Sequence, residues 1–174
     1  MASDPRLGGG TLWLVFALSC GLPGLARHAH ASNACPWLTE ATASGILGVN
    51  AEGAYQPAAG TQPATCTFTE KEESGARTLT ITVETANDPQ ARVNDLVRTC
   101  ADSPSPLRAI GNEAVTCAVD VRRGQLTERT IGRVRGQIFT ITLKSALKDD
   151  PILTRDVVKG HLYTAAEQVA GNLF

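Results

Sequence analysis

Apolar residues recur along the chain at two spacings, and the places where one spacing gives way to the other mark the elements. Pro36-Trp37-Leu38-Thr39-Glu40 opens a helix: Thr39 suits the N-cap, Leu38 is placed to staple onto Ala43, Ile46 and Leu47 form the apolar face, and Gly48 ends it. Residues 49–64 carry Gly53, Pro57, Gly60 and Pro63 and predict a loop or an irregular edge. Strict alternation follows over 65–69, with Cys66 and Phe68 inward. It returns from Thr78 to Glu84, with Leu79, Ile81 and Val83 inward. The charged stretch Glu70-Lys71-Glu72-Glu73-Ser74-Gly75 reads as the turn between two strands of a β-hairpin.

Asp88-Pro89 predicts an N-cap followed by proline at the first helical position. Val93, Leu96, Val97 and Cys100 then repeat as one helical stripe. Ser103-Pro104-Ser105-Pro106 predicts an extended connector. After a turn at Gly111-Asn112, Val115, Cys117, Val119 and Val121 alternate as a strand, and Arg122-Arg123-Gly124-Gln125 turns the chain. Residues 128–135 and 138–143 predict two strands joined across Gly136-Gln137 by a type II′ turn, which sets Val134 opposite Phe139 and Gly132 opposite Ile141. Asp150-Pro151 predicts the start of a last helix of up to about 23 residues, with Val158, Leu162, Ala165, Ala166, Val169 and Leu173 as its buried stripe. The order α-β-β-α-β-β-β-α has no βαβ repetition. It predicts an α+β fold, an antiparallel sheet packed against helices.

Residues 1–31 read as an address. Arg6 is followed by the apolar run 11–18, too short to span a bilayer. Pro23-Gly24 breaks the helix, and Ala29 and Ala31 supply small residues for cleavage before Ser32. The expectation is a signal peptide over 1–31 and a single exported domain over 32–174, periplasmic or extracellular. Ser19-Cys20 offers a second route, lipidation of Cys20, although Ala17 stands where lipoprotein signals usually have leucine. Membrane contact is expected only on that route. With Lys+Arg 16 against Asp+Glu 17 the net charge is −1, and the chain lacks the basic surplus that nucleic-acid binding requires.

Cys35, Cys66, Cys100 and Cys117 lie beyond the signal, and an even count in an exported domain reads as two disulfides. Four cysteines allow three pairings. Cys35–Cys66 and Cys100–Cys117 are favoured because in each pair one cysteine abuts a helix and the next lies in a strand. No Cys-x-x-Cys occurs, which argues against a zinc or redox site. Cys35-Pro36-Trp37-Leu38-Thr39 with Leu47-Gly48, Cys66-Thr67-Phe68, Ile110-Gly111-Asn112-Glu113-Ala114, and Gly132-Arg133-Val134 before Ile138-Phe139 resemble a family of small exported bacterial proteins and lipoproteins of unknown function, best known from actinobacteria. The resemblance covers most of residues 35–170. It implies an α/β sandwich similar to the photosystem extrinsic protein PsbP, with the first two cysteines bonded and no established catalytic residues.

Candidate chemistry is sparse. His161 is the only histidine after residue 31 and reads as a helix-flank residue; no Gly-x-Ser-x-Gly is present. Asp149 and Asp150 are explained by a helix N-terminus that favours negative charge, and Glu70, Glu72 and Glu73 by a solvated turn. The most informative surface is basic: Arg122, Arg123, Arg129, Arg133 and Arg135, of which Arg129, Arg133 and Arg135 share strand parity. One face carrying three arginines would suit a carboxylate, a phosphate or an anionic envelope polymer; the alternative is solubilising charge. The expectation is a non-enzymatic binding module without metal or cofactor, directed at an envelope protein or an anionic ligand. A carrier of a small apolar or anionic ligand would need a cavity on the order of a few hundred Å³ between sheet and helices. A carboxylate-dependent hydrolase would need two acidic side chains roughly 5–9 Å apart, and no spacing forces such a pair.

Overall fold

Local signals start the chain as expected. In the computed structural model, which describes residues 34–71, 76–120 (backbone only at Asp120) and 125–174, α1 spans Glu40–Leu47. Thr39 Oγ1 accepts the Thr42 N–H, and Gly48 closes the helix in the left-handed region at φ 69°. The expected signal peptide, Cys20, Glu72, Glu73, Arg122 and Arg123 lie outside the described residues.

The residues after α1 form a strand where the sequence predicts a loop or irregular edge. β1 (Ala51–Gln56) pairs antiparallel with β2 (Ala64–Glu70), and only the connection between them is irregular. Tertiary contact overrides the weak β-propensity of Gly53. Its missing side chain leaves room for the ring of Phe68, its direct partner, and a Cβ there would come within 2.8 Å of that ring. β3 (Arg77–Thr85) follows, then α2 (Pro89–Val97), with Asp88 accepting the Ala91 N–H at its N-cap. Within the predicted connector, Ser105–Pro106 forms a two-residue strand, β4, on β5 (Glu113–Asp120).

β6 (Leu126–Val134) and β7 (Gln137–Ser145) complete one seven-stranded antiparallel sheet in the order β1-β2-β3-β7-β6-β5-β4. The β6–β7 turn is Arg135-Gly136, not Gly136-Gln137, so Val134 opposes Gln137 and Gly132 opposes Phe139. The left-handed turn position is held by Arg135, at φ 55°. Packing decides the register: a Cβ on Gly132 would overlap the Phe139 ring, so only this glycine can sit opposite that ring.

α3 spans Arg155–Leu173 with Thr154 at its N-cap, starting later than Asp150-Pro151 suggests. It lies with α1 on one sheet face over the main core, in which Phe68, Leu79, Phe139, Ile141, Leu143, Val158 and Leu162 are fully buried. α2 packs on the other face over a smaller cluster of Val93, Cys117, Ile131 and Ile138. Disulfides Cys35–Cys66 and Cys100–Cys117 join the segments, with Cα atoms 5.6 and 5.8 Å apart. The fold is therefore α+β.

Asp150 is the largest departure from expectation, because it is no helix cap. Its carboxylate is buried against Arg77, taking Nε at 2.8 Å and Nη2 at 2.9 Å. It also accepts Ser145 Oγ at 2.6 Å and the Ile152 and Leu153 N–H groups. Burial alone would raise its pKa, but the hydrogen bonds from Arg77, Ser145 and the backbone outweigh it and hold the group well below the usual carboxylate range. Glu70 is likewise no solvated turn residue. It ends β2 facing inward, with a carboxylate oxygen 3.9 Å from Arg77.

Candidate functional site

Strand parity places threonine at every outward position of β2, Thr65, Thr67 and Thr69, and at the first three of β3, Thr78, Thr80 and Thr82, with Glu84 at the fourth. β7 adds Thr140 and Thr142. The pairing aligns them in rows across the face that carries α2. One row runs Gln56, Thr65, Thr82, Thr140, Ile131; the next Ala54, Thr67, Thr80, Thr142, Arg129; the third Glu52, Thr69, Thr78, Lys144, Thr127. Rows repeat about every 7 Å along the strands and columns about every 4.8 Å across them. α2 packs against β6 and β7, and the threonines of β2 and β3 remain half-exposed. Thr82 and Thr140 share a hydrogen bond between their hydroxyls.

Charge on this face is mostly neutralised in pairs. Lys71 and Glu52 approach at 3.6 Å, Arg92 and Glu84 at 2.7 Å, and Arg133 and Glu113 at 2.8 Å. Burial raises the Glu113 pKa, but the hydrogen bonds from Arg133 and Gln90 prevail, so the carboxylate is held below its ordinary value. Arg129 and Lys144 are different. Arg129 donates to Thr142 Oγ1 and Thr99 Oγ1, each at 3.2 Å, and among the described residues no carboxylate pairs with it. Its burial pushes the guanidinium below its ordinary pKa. Lys144 is exposed and likewise has no ion-pair partner among the described residues. It stands diagonal to Arg129 across β6 and β7.

The three arginines singled out by sequence are thus separated. Arg129 and Arg133 share the α2 face, with Ile131 between them. Arg135 leaves the strand at the turn, and its guanidinium stands 5.6 Å from the Phe174 ring. Lys144 is the residue that sequence reasoning missed. Its parity with Thr140 and Thr142 was readable, but its closeness to Arg129 depends on the register of β6 against β7.

His161 is half-buried on α3, and its buried Nδ1 has no hydrogen-bond partner among the described residues. Among the described residues no cluster of three His, Cys, Asp or Glu side chains is placed to hold a metal ion, and no helix is long and apolar enough to cross a membrane. Two concavities, of about 380 and 460 Å³, open at opposite ends of the sheet. The first is lined by Trp37, Gln62 and Glu84 among others, the second by Asp149, Asp150 and Arg155 at the start of α3. Compared with protein-family models, curated proteins and solved structures, the chain matches none.

Proposed function

We propose that this chain is an exported, disulfide-braced, non-catalytic binding module, whose ligand or partner lies on the threonine face of the sheet. One observation carries the reading: that face is half-exposed and regular, and among the described residues its charges are paired except for two adjacent cations. Such a surface has hydrogen-bonding capacity and a local positive field without a cleft in which to enclose a reacting group. The two disulfides suit an oxidising compartment. The carrier alternative is less favoured, since the concavities open to solvent instead of lying as a dry chamber between sheet and helices.

The test uses the full-length chain expressed in an exporting bacterial host. Intact mass of the recovered protein is expected to show cleavage after Ala31 and loss of four thiol hydrogens; a diacylglycerol adduct on Cys20 would instead establish anchoring. The oxidised protein is expected to bind isolated cell-envelope material, and Thr67→Glu with Thr80→Glu to abolish that binding while leaving the circular dichroism spectrum unchanged. Undiminished binding by this folded variant overturns the assignment of the face.

A further inference from the structure

We propose that Arg129 and Lys144, with the hydroxyls of Thr142 and Thr80 beside them, form an oxyanion seat, and that it takes the sulfate or phosphate ester groups of an extended anionic polysaccharide. This rests on the reading that the threonine face is the binding surface, and it names the ligand class.

The charge pattern selects an anion. Glu52, Glu84 and Glu113 on this face are each matched by a cation of their own, so the charge of Arg129 and Lys144 is left uncompensated among the described residues. Arg129 is held in place by neutral acceptors only, Thr142 Oγ1 and Thr99 Oγ1, and these bonds fix the plane of the guanidinium without cancelling its charge. Arg129 opposes Thr142 directly, so Lys144 lies on the diagonal, with Cβ atoms about 7–8 Å apart or somewhat less. Two cationic side chains at that spacing can both donate to one tetrahedral oxyanion at about 2.8 Å.

The surroundings select the rest of the ligand. The seat lies on an open sheet, where a free ion would keep most of its hydration. Beside it Thr80, Thr67, Thr78 and Thr69 continue the hydroxyl rows over two more strands. A chain of neutral hydroxylated sugar units can lie along those rows while its ester groups reach the cations. A lipid surface fits less well, because among the described residues the exposed large apolar side chains Ile152, Val157 and Phe174 belong to α3 and the segments that flank it, on the other side of the sheet. Nucleic acid fits less well because among the described residues the face has no aromatic side chain on which bases could stack.

The test measures binding of the oxidised protein from an exporting host to immobilised dextran sulfate and to uncharged dextran at low ionic strength. Wild type is expected to bind dextran sulfate and not dextran. Arg129→Gln with Lys144→Gln is expected to weaken that binding about tenfold or more. Lys144→Glu, a change at an exposed site that leaves the core untouched, is expected to abolish it, and Arg98→Gln at the C-cap of α2 to leave it unchanged. The proposal is overturned by equal binding to both polymers, by undiminished binding by Lys144→Glu, or by displacement by inorganic sulfate at equal charge as effective as by free dextran sulfate. Stronger binding to phosphatidylglycerol vesicles than to dextran sulfate overturns it in favour of a membrane. Envelope binding that depends on Thr67 and Thr80 without any dextran sulfate binding removes this ligand class and leaves the binding face standing.

Discussion

Arg77 and Asp150 keep only 4 % and 7 % of their surface exposed, so removing Asp150 takes from the buried guanidinium its two closest carboxylate contacts and leaves it Glu70 at 3.9 Å. Asp150→Ala is expected to destabilise the protein by about 3–5 kcal/mol in urea unfolding. Arg77→Met with Asp150→Leu should recover only part of that loss, since apolar side chains of similar size replace the pair but the buried Glu70 carboxylate loses Arg77. The sign of the pH effect follows from the depressed carboxylate. The unfolded chain binds the proton more readily, so the stabilisation is complete above the ordinary aspartate pKa and is lost as pH falls below it. In the Asp150→Ala variant this share of the acid-induced loss should disappear. The pair was partly legible. Arg77 shares parity with Leu79, Ile81 and Val83, and Glu70 with Cys66 and Phe68, so alternation alone points both inward. Their partner Asp150 lies 73 residues from Arg77 next to a proline, where a helix-start signal masks a long-range contact.

At the scale of elements, the free edge of β1 shows how a sheet border is blocked without adding a strand. The Ala51 N–H donates to Ser44 Oγ at 3.0 Å and the Gly53 N–H to Glu40 Oε1 at 2.9 Å. Four helical residues rise about 6 Å and two strand residues about 7 Å, so side chains one turn apart on α1 match alternate N–H groups of the edge. Glu40→Ala with Ser44→Ala is expected to expose that edge and produce concentration-dependent self-association, measured by sedimentation, whereas wild type stays unassociated. This strand could not be read from residues 49–64, because Gly53 and the nearby prolines suppress the pattern and its support comes from α1 and Phe68. The β6–β7 hairpin was legible in a different way. Moving the turn by one residue changes which residues oppose one another but keeps every side chain on its face, so alternation places Ile131, Ile138, Val134 and Phe139 correctly and leaves the pairing to Gly132 and Phe139. Glu128, also on β6, faces inward with 3 % exposure, and burial first, then Asp102, raises its pKa, while Arg155 and Lys159 pull it back in part. Here the folded state binds the proton more readily, so this carboxylate costs stability as pH rises through its window. Glu128→Gln is expected to raise the melting temperature at neutral pH, with the gain shrinking as pH falls towards the ordinary glutamate pKa and gone below it.

Across the whole molecule, the two disulfides brace opposite sides of one sheet, and this separates their roles. Cys66 is fully buried in the main core beneath α1, whereas Cys117 belongs to the small cluster under α2. Their bridges close 31 and 17 residues, for which loop-closure entropy gives about 3–4 kcal/mol each. Because the bridges touch different clusters, Cys35→Ala with Cys66→Ala and Cys100→Ala with Cys117→Ala are expected to give additive losses in the fourfold variant. The first pair should lose more, since it also removes sulfur from a close-packed core. Function should follow the other bridge. Thr99, which accepts a hydrogen bond from Arg129, is the residue before Cys100, so cutting Cys100–Cys117 frees the chain that holds the guanidinium in place. The Cys100/Cys117 variant should therefore bind dextran sulfate more weakly than its drop in melting temperature implies. The Cys35/Cys66 variant, measured below its own melting transition, should bind as wild type does. Calorimetry and binding on the same preparations separate the two effects, and equal weakening by both variants would mean that the bridges act only through overall stability.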